Sequence, residues 1–257
     1  MSTAPLLLRQ LRYENKSFWR NPAAAFFTFA FPLMFLVIFN LLFGNDEIER
    51  FGPPVSGSTF YVPAIAALSI ITACYTNIAM GVSITRDEGI LKRIRGTPLP
   101  QWAYLASRVI HSVLVGFLLV AIVIVAGTLF YSVDVPTDTL PAFAVTVLVG
   151  AATFSALGLA MTAAVPNAEA APAVINATIL PLLFISDIFI PLDDAPEWLL
   201  WFSNLFPIRH FAEAMLAAFN PFETGSGFRG FDLAVIGGWG LVGLSLALRH
   251  FSWEPRK

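Results

Sequence analysis

The residues of this chain best suited to chemistry lie in one stretch, RDEGILKRIRGTPLP, from Arg86 to Pro100. It carries the densest positive charge of the sequence and lies between two long apolar runs. On a helix, Ile90, Leu91 and Ile94 fall on one side, and the charged residues spread over the rest. This pattern predicts a short charged helix that docks into a groove on a soluble partner.

The end of this predicted helix is also marked. Gly96 can adopt a positive φ, and Pro98 cannot continue a helix, so the helix is expected to stop there. A signal that only sets membrane topology needs positive charge, but it needs neither an apolar stripe nor a defined end. The stretch therefore favours a docking element.

Motifs of enzymes are absent from the sequence. There is no G-x-x-x-x-G-K-[ST] loop, because Lys16, Lys92 and Lys257 follow Asn, Leu and Arg. There is no H-E-x-x-H zinc motif and no G-x-S-x-G elbow, and no metal site is predicted. If the chain moves a solute uphill, the free energy must come from another chain.

The composition predicts that membrane-spanning helices position the charged stretch. Hydrophobic residues make up 57% and charged residues 12% of the 257 residues, and the mean hydropathy is +0.73. A soluble domain carries about 25% charged residues, so the chain is predicted to be a polytopic membrane protein. The single cysteine, Cys74, can form no internal disulfide. No basic patch interleaved with exposed aromatic residues is expected, so nucleic acid is not an expected partner.

Six apolar runs reach or approach the ~20 residues that a membrane-crossing helix needs. They lie at 22–43, 60–84, 108–131, 141–165, 170–186 and 232–248, and the last two are short. The first is too long for the apolar region of a signal peptide and lacks a small-residue cleavage site, so it is predicted to be a retained span. The interiors of the runs lack Asp, Glu, Lys and Arg, which gives little support to ion-coupled transport. His111 is interpreted as a packing residue, with a proton relay as the alternative.

The basic residues are divided unequally between the predicted loops. Twelve of the 15 Lys and Arg residues lie before the first run, in the 85–108 loop or at the C-terminus. The positive-inside rule therefore predicts that both termini and this loop are cytoplasmic. An even number of six crossings agrees with that assignment. The remaining inner loop, VPNAEA at 165–170, carries no basic residue.

The N-terminal arm is amphipathic. Basic residues from Arg9 to Arg20 fall on one helical face, and Leu7, Leu11 and Phe18 lie opposite. A helix in the headgroup plane has this pattern. The alternative is a plain positive cluster that only sets topology.

The long outer segment 187–231 is apolar but interrupted by prolines and charges. It predicts one or two short helices that dip into the outer leaflet and pack against the bundle, since non-helical backbone at that depth must be buried in protein or line water.

A stripe of small residues recurs in the fourth run, at Ala152, Ala156, Ala160 and Ala164. Such a stripe permits close helix contact. Packing within one subunit and contact in a dimer are both compatible with it.

Two of these stretches resemble a known family. RDEGILKRIRGTPLP resembles the cytoplasmic loop of permease subunits of ABC-2 type transporters, which commonly carry a basic run followed by Gly-Thr-Pro. ISDIFIPLDDAPEWLLWFSNLFPIRHFAEAM is similar to that family's segment before the last span. With the arm and the six runs, the resemblance covers essentially the whole chain. One departure is Asp187, which stands where the family frequently has Gly.

The resemblance implies an all-α integral membrane protein that forms one ABC-2 type transmembrane domain over 1–257. Its expected parts are an interfacial arm at 1–21, helices 1–5 within 22–186, an outer re-entrant segment at 187–231, helix 6 at 232–248 and a cytoplasmic tail at 249–257.

It also implies two permease chains, as a homodimer or heterodimer, and two separate cytoplasmic ATP-binding subunits. ATP and Mg would bind in those subunits, and this chain would hold no cofactor. The arm would be the connecting helix, and 86–98 the coupling helix between the second and third spans. The residues implied in ATPase coupling are Arg86, Asp87, Glu88, Lys92, Arg93, Arg95, Gly96, Thr97 and Pro98.

ATP-driven motion would then reshape a cavity between the two permease chains. The amphiphilicity of the second and fifth spans gives Thr72, Tyr75, Thr76, Asn77, Asn176 and Thr178 as lining candidates. Each could instead form a hydrogen bond between helices without touching substrate. The outer-gate candidates are Asp187, Phe189, Pro191, Trp198 and Pro207.

The predicted function is that of an exporter permease in a bacterial cytoplasmic (inner) membrane. A charge-free, aromatic-rich interior suits an apolar ligand, so the expected cargo is hydrophobic or amphipathic, a drug-like compound or a lipid. The alternatives are export of a polysaccharide or lipid-linked glycan, a non-transporting scaffold that anchors an ATPase, and an ion-coupled carrier.

Overall fold

The computed structural model describes residues 4–49, 53–135, 137–192 and 195–254. In this part of the chain the regular structure is helical, apart from two antiparallel strands of two residues each. The predicted all-α fold is therefore confirmed. The elements are α1 (Ala4–Trp19), α2 (Pro22–Phe43), β1 (Glu47–Ile48), β2 (Val55–Ser56), α3 (Gly57–Ile71), a π turn (Thr72–Thr76), α4 (Asn77–Asp87), α5 (Ile90–Arg95), α6 (Gln101–Tyr131), α7 (Leu140–Met161), α8 (Ala171–Phe184), α9 (Glu197–Ser203), α10 (Pro207–Ala218) and α11 (Gly230–His250).

Five helical segments of the described chain are long and apolar enough to cross a membrane. They are α2, the continuous segment Gly57–Asp87, α6, α7 and α11. The predicted fifth span corresponds to α8, which has only 14 residues. At about 1.5 Å per residue it extends about 21 Å, less than the ~30 Å of a hydrocarbon core. The helix ends early because the chain turns at Ile185 and takes a positive φ at Asp187. Six crossings stay a prediction.

The predicted start of the third span is wrong. The helix α6 begins at Gln101, seven residues before the predicted position at 108. Arg108, taken as a loop residue, lies inside the helix because its charge is neutralised there. Its Nε lies 3.2 Å from Glu14 Oε2 and donates to Tyr104 Oη at 3.1 Å.

Helix α3 is the centre of the bundle. Every residue from 60 to 71 is buried, and α2, α6, α7 and α10 pack around the helix. At Gly127 of α6, an added Cβ would lie 2.7 Å from the Val62 side chain, so the two helices approach closely there. A helix enclosed on every side must be apolar on nearly every side, as α3 is.

The peripheral helices α2 and α11 expose large apolar side chains. Phe27, Leu41 and Leu248 are 67%, 77% and 78% exposed. An apolar surface of this extent marks contact with a membrane or another protein. The two helices therefore suit an outer position, against lipid or a second chain.

The outer segment packs as expected. Helix α10 lies against α3, α7 and α11. Its Phe211 is fully buried and meets the Phe154 ring edge-on at 5.3 Å, in space that the missing side chain of Gly150 leaves open. Helix α9 instead exposes Trp198 and Trp201, as aromatic residues do at a membrane interface.

The small-residue stripe of α7 contributes to packing within the chain. A Cβ at Gly243 of α11 would lie 3.1 Å from the carbonyl carbon of Ala156, and Thr153 Oγ1 donates to Ile236 O at 3.0 Å. The internal-packing interpretation is thus confirmed for Ala156. Ala152, one turn earlier, is exposed.

The second span is interrupted at its middle by the π turn, Thr72–Thr76, closed by the bond from Asn77 N–H to Thr72 O. Such insertions are rare overall, but those that occur are often found at functional sites. Helix α7 approaches this turn at Gly158, where a Cβ would lie 2.8 Å from Tyr75 O and 3.0 Å from Cys74 O. Only glycine leaves room for these two carbonyls.

Gly158→Ala is expected to destabilise the protein, because the added methyl collides with backbone that cannot rotate away. Overpacking of this kind costs about 1–3 kcal/mol, although alanine is intrinsically the better helix former. Thermal unfolding in detergent measures the effect. The control is Gly237→Ala in α11, where an added Cβ meets nothing within 4 Å. A Gly158→Ala protein as stable as this control would contradict the close contact.

Candidate functional site

The charged stretch forms a short helix, α5, at one end of the bundle. Lys92, Arg93 and Arg95 are exposed, whereas Leu91 is fully buried. Leu91 belongs to an apolar cluster with residues of α4, α6, α7 and α11, and the partly buried Ile94 packs against this cluster. The apolar stripe therefore anchors α5 to its own bundle. The prediction that this stripe docks into a partner's groove is wrong, and the exposed cations remain for that purpose.

The turns around α5 also differ from the prediction. Gly96 has φ −82° and needs no glycine conformation, so its predicted positive φ is wrong. The positive φ lies instead at Gly89, 69°, where the chain turns out of α4 into α5. The helix ends at Arg95 because Thr97 Oγ1 donates to Ile94 O at 2.7 Å and Pro98 follows. Gly96, Thr97 and Pro98 are all exposed beside the cations.

The sequence pattern predicted Arg86 among the exposed charges of the docking helix, but its side chain is buried. It lies at the end of α4, is 1% exposed, and donates from Nη1 to Thr162 O at 2.7 Å and from Nη2 to Val165 O at 2.5 Å. The neighbouring Asp87 accepts from Ala168 N–H at 3.1 Å through Oδ2. These two residues therefore hold the connection between α7 and α8. Arg86 cannot present its charge to a partner, whereas Asp87 is half-buried and Glu88 is exposed.

The segments predicted to share one side of the membrane meet at one end of the bundle. Arg95 of α5 pairs with Glu254 of the C-terminal tail at 3.5 Å, and Glu14 of α1 pairs with Arg108 at the start of α6. Arg86 and Asp87 add the α7–α8 connection. These contacts support the predicted partition of the loops, and the cytoplasmic assignment stays a prediction.

A cavity of about 520 Å³ lies between the π turn and helices α7, α8, α10 and α11. Its walls are apolar side chains, among them Phe154, Ile179 and Trp239. Two of the predicted pathway residues meet there, although 103 positions separate them: Tyr75 Oη lies 2.9 Å from Thr178 Oγ1. Thr178 also donates to Ile175 O, so Tyr75 is the donor to Thr178. The site is a mostly apolar chamber with the Tyr75–Thr178 pair and His250 on its wall.

The other pathway candidates are elsewhere. Thr72 donates its hydroxyl to Leu68 O within its own span, which fits the alternative of a structural hydrogen bond. Thr76 and Asn176 do not line the cavity, and Asn77 lines a second, separate one. The amphiphilicity of the two spans therefore identified two residues that line the chamber, Tyr75 and Thr178, but it also selected neighbouring residues that do not.

Asp187 occupies the turn after α8 with φ 60°, in the left-handed region. Glycine is favoured there, and Asp and Asn are the side chains that tolerate it best. This explains why aspartate can stand in place of the frequent family glycine. Its carboxylate is fully buried: Oδ1 accepts from Leu192 N–H at 2.8 Å, and Oδ2 lies 3.3 Å from Arg209 Nε. The ion pair joins the end of α8 to α10.

The remaining gate candidates divide between the interior and the surface. Phe189 is buried and stacks on Phe35 and Phe39 of α2, at 5.2 and 5.8 Å. Pro207 is buried and lines the 520 Å³ cavity. Pro191 is half-buried, and Trp198 is exposed.

A cluster of charged residues connects α10 to α11 beside this turn, and the sequence-based interpretation missed it. Glu213 lies 3.6 Å from both Arg209 and Arg229, and Arg229 lies 3.4 Å from Asp232. Two of these pairs have helical spacing along the chain, i,i+4 and i,i+3, which is the signal that could have found them.

His210 completes the cluster. The carboxylate of Asp232 faces its Nδ1 at 2.7 Å, and the carbonyl of Asn204 faces its Nε2 at 2.9 Å. The bond to Asp232 raises the pKa of His210, against the opposing effect of burial. Two acceptors on one imidazole favour its protonated form, in which both ring nitrogens donate.

Substitutions at Asp187 are expected to separate the two properties of this residue. Asp187→Asn keeps an acceptor and the tolerance for positive φ, Asp187→Gly keeps only the backbone freedom, and Asp187→Ala keeps neither. Thermal stability should fall in that order, with a further loss of about 1–2 kcal/mol from Gly to Ala because alanine is strained at this φ. Equal stability of the Gly and Ala proteins would show that the turn relaxes.

Comparison with known proteins agrees with this geometry. Residues 6–220, well over half of the chain, match the family described as ABC-2 type transporter. The transport permease ycf38 of Porphyra purpurea is 25% identical over 77% of this chain and 68% of its own length. The daunorubicin resistance ABC transporter permease protein DrrB1 of Streptomyces coeruleorubidus is 28% identical, over 71% of this chain and 64% of its own.

A third relative is more distant. The "Probable multidrug ABC transporter permease YbhR" of Escherichia coli K12 is 21% identical over 66% of this chain, which covers 46% of that protein. The family match spans most of the arm, α5, α10 and the chamber walls other than α11. The chain therefore belongs to the ABC-2 type transporter family, as a multi-pass membrane permease.

Proposed function

We propose that the chain is the permease subunit of an exporter that moves a hydrophobic or amphipathic compound, drug-like or lipid, out across the cytoplasmic membrane. A separate ATP-binding subunit binds ATP and Mg and supplies the free energy, and a second permease chain completes the pathway. Both termini are cytoplasmic. The observation that carries the proposal is the construction of α5, with exposed cations outside, Leu91 inside and Arg86 at its base.

This construction can transmit force. A push on the exposed face of α5 passes through buried Leu91 to the bundle, because a close-packed apolar cluster transmits strain. The same push moves the end of α4, where Arg86 and Asp87 hold three backbone groups of the α7–α8 connection. Displacement of α5 thus reaches both the second span and α8.

Those two elements carry the polar pair of the chamber. Tyr75 lies in the π turn of the second span, and Thr178 lies in α8. A relative shift of the two elements breaks or forms their hydrogen bond and changes the shape of the 520 Å³ cavity. The coupling helix and the cargo site are therefore linked through contacts that the structure contains.

The cavity supports the class of cargo. Pockets of about 300–1,000 Å³ that are mostly apolar with a few polar groups suit drug-sized ligands. The chamber agrees with this class in both volume and lining. Relatives named for daunorubicin resistance and multidrug transport agree with such a cargo. A glycan would call for a continuous channel, whereas this cavity has a volume of about 520 Å³.

Reversing the exposed charges of α5 tests the docking role. With Arg93→Glu/Arg95→Glu, the ATP-binding subunit that co-purifies with the wild-type chain should be lost, while membrane insertion is retained. ATP-driven accumulation of daunorubicin in inverted vesicles should fall to the level without ATP. Arg249→Glu, which reverses another exposed charge, is the control. Arg86→Met should also abolish transport, since it removes the contact with the α7–α8 connection and the base that holds α5.

Normal ATP-driven transport by the charge-reversed protein would refute coupling through α5. Collapse of transport by an ionophore, with ATP held constant, would instead favour an ion-coupled carrier.

Filling the chamber tests the cargo site. Ala160→Phe places a ring in the 520 Å³ cavity and should reduce daunorubicin transport at least about tenfold, because the ring and the drug compete for one apolar space. Binding of the ATP-binding subunit should persist. The control is Ala152→Phe, an exposed position two turns earlier in the same stripe. Equal transport by the two variants would place the cargo elsewhere.

A further inference from the structure

A second cavity, of about 310 Å³, lies near the coupling end of the bundle between α1, the start of α2, α4 and α6. It shares no lining residue with the 520 Å³ chamber. Its walls are mixed, with serine, asparagine, a buried glutamate, an arginine and a histidine beside apolar side chains. The lining residues are Glu14, Ser17, Phe18, Asn21, Ala24, Thr28, Asn77, Ile78, Met80, Gly81, Ile84, Arg108, His111, Ser112 and Val115.

Arg108 brings hydrogen-bond donors to this cavity that the protein does not use. Its Nε is engaged by Glu14 and Tyr104. Its Nη1 lies beside Gly81, 3.0 Å from where a Cβ would stand, on the cavity wall. Among residues 4–49, 53–135, 137–192 and 195–254, no hydrogen-bond partner faces either terminal nitrogen. The guanidinium therefore keeps the paired donors that suit a phosphate or carboxylate.

His111 adds a second unsatisfied group. Its ring meets Phe18 of α1 edge-on at 5.3 Å, and its Nε2 is buried without a hydrogen-bond partner in the described part of the chain. A buried polar atom that lacks a partner costs about 1–3 kcal/mol. His111 and Arg108 both line the cavity, but Nε2 itself is fully buried, so the Arg108 fork is the group that is open to a bound anion.

The charge around the cavity favours an anion. Glu14 and Arg108 balance each other inside it. A neighbouring cleft of about 440 Å³ shares Ser17 and Asn21 with the cavity and adds the exposed Lys16 and Arg20. The cavity and the neighbouring cleft therefore share an opening with positively charged residues.

Part of the cavity wall is apolar. Phe18, Met80 and Val115 line it. One helical turn beyond Thr28 and Val115 stand Phe31 and Leu118, both exposed. A ligand with an anionic head and an apolar chain matches this order of groups, with its head in the cavity and its chain along the outside of α2 and α6.

We propose that this cleft is a binding site for one phospholipid of the adjacent leaflet. The phosphodiester is held by the Arg108 guanidinium, and Lys16 and Arg20 attract the headgroup. The lipid joins α1 to α2, α4 and α6, and so fixes the arm on the bundle. The site is separate from the cargo chamber, and its test does not depend on transport or on an ATP-binding subunit.

Native mass spectrometry of the full chain tests the site. The protein is reconstituted with phosphatidylglycerol, re-extracted in detergent and analysed for retained lipid. The wild type should keep one phosphatidylglycerol per chain. Glu14→Gln/Arg108→Gln removes the charges without changing the net charge, and Ser17→Trp blocks the mouth from an exposed position. Each should lower retention about tenfold, equivalent to about 1.4 kcal/mol.

The matched control is Arg95→Gln/Glu254→Gln, which also removes one arginine–glutamate pair, but an exposed one outside the cavity. It should retain lipid like the wild type. If the first double variant does not fold, Ser17→Trp decides alone. Equal retention in all four proteins would show only annular lipid and overturn the proposal. Displacement of the lipid by millimolar inorganic phosphate would also overturn it, in favour of a site for free phosphate.

Discussion

The structure depends on one buried cation. Arg86 lies 1% exposed at the end of the second span, where an unpaired charge would be costly. It is accommodated because it donates to the carbonyls of Thr162 and Val165, just beyond the last turn of α7. Such carbonyls lack intrahelical partners and carry partial negative charge. The arginine and the helix end therefore satisfy each other, and neither is stable there alone.

The position of α5 follows from this contact. Because Arg86 fixes the end of α4, the left-handed turn at Gly89 can direct α5 outward from a firm base. Leu91 then holds α5 to the bundle, so the exposed cations of α5 have a fixed position relative to the bundle. At the opposite end, Asp187 and Arg209 join the end of α8 to α10 by the same principle. The apolar interior is thus closed at each end by a buried ion or ion pair.

Much of this arrangement could be predicted from local properties. Apolar length and composition give five of the six predicted spans, charge asymmetry gives the loops that meet at one end, and the short outer helices follow from prolines within an apolar segment. The burial of Arg86 could not be predicted, since its partners lie 76 and 79 residues away and its neighbours are also charged. The positive φ was assigned to Gly96 and lies at Gly89 because both glycines flank the same helix. Likewise, amphiphilicity marked Tyr75 and Thr178 but could not pair them.

The length of α8 has a consequence for the surrounding bilayer. A helix of about 21 Å cannot match a ~30 Å hydrocarbon layer, and hydrophobic mismatch of this sign is relieved by local thinning of the lipid. Helix α8 is also a wall of the 520 Å³ chamber. If α8 is the predicted fifth crossing, the membrane is therefore thinnest beside the proposed cargo site, where the polar end of an amphipathic molecule has the shortest apolar distance to travel.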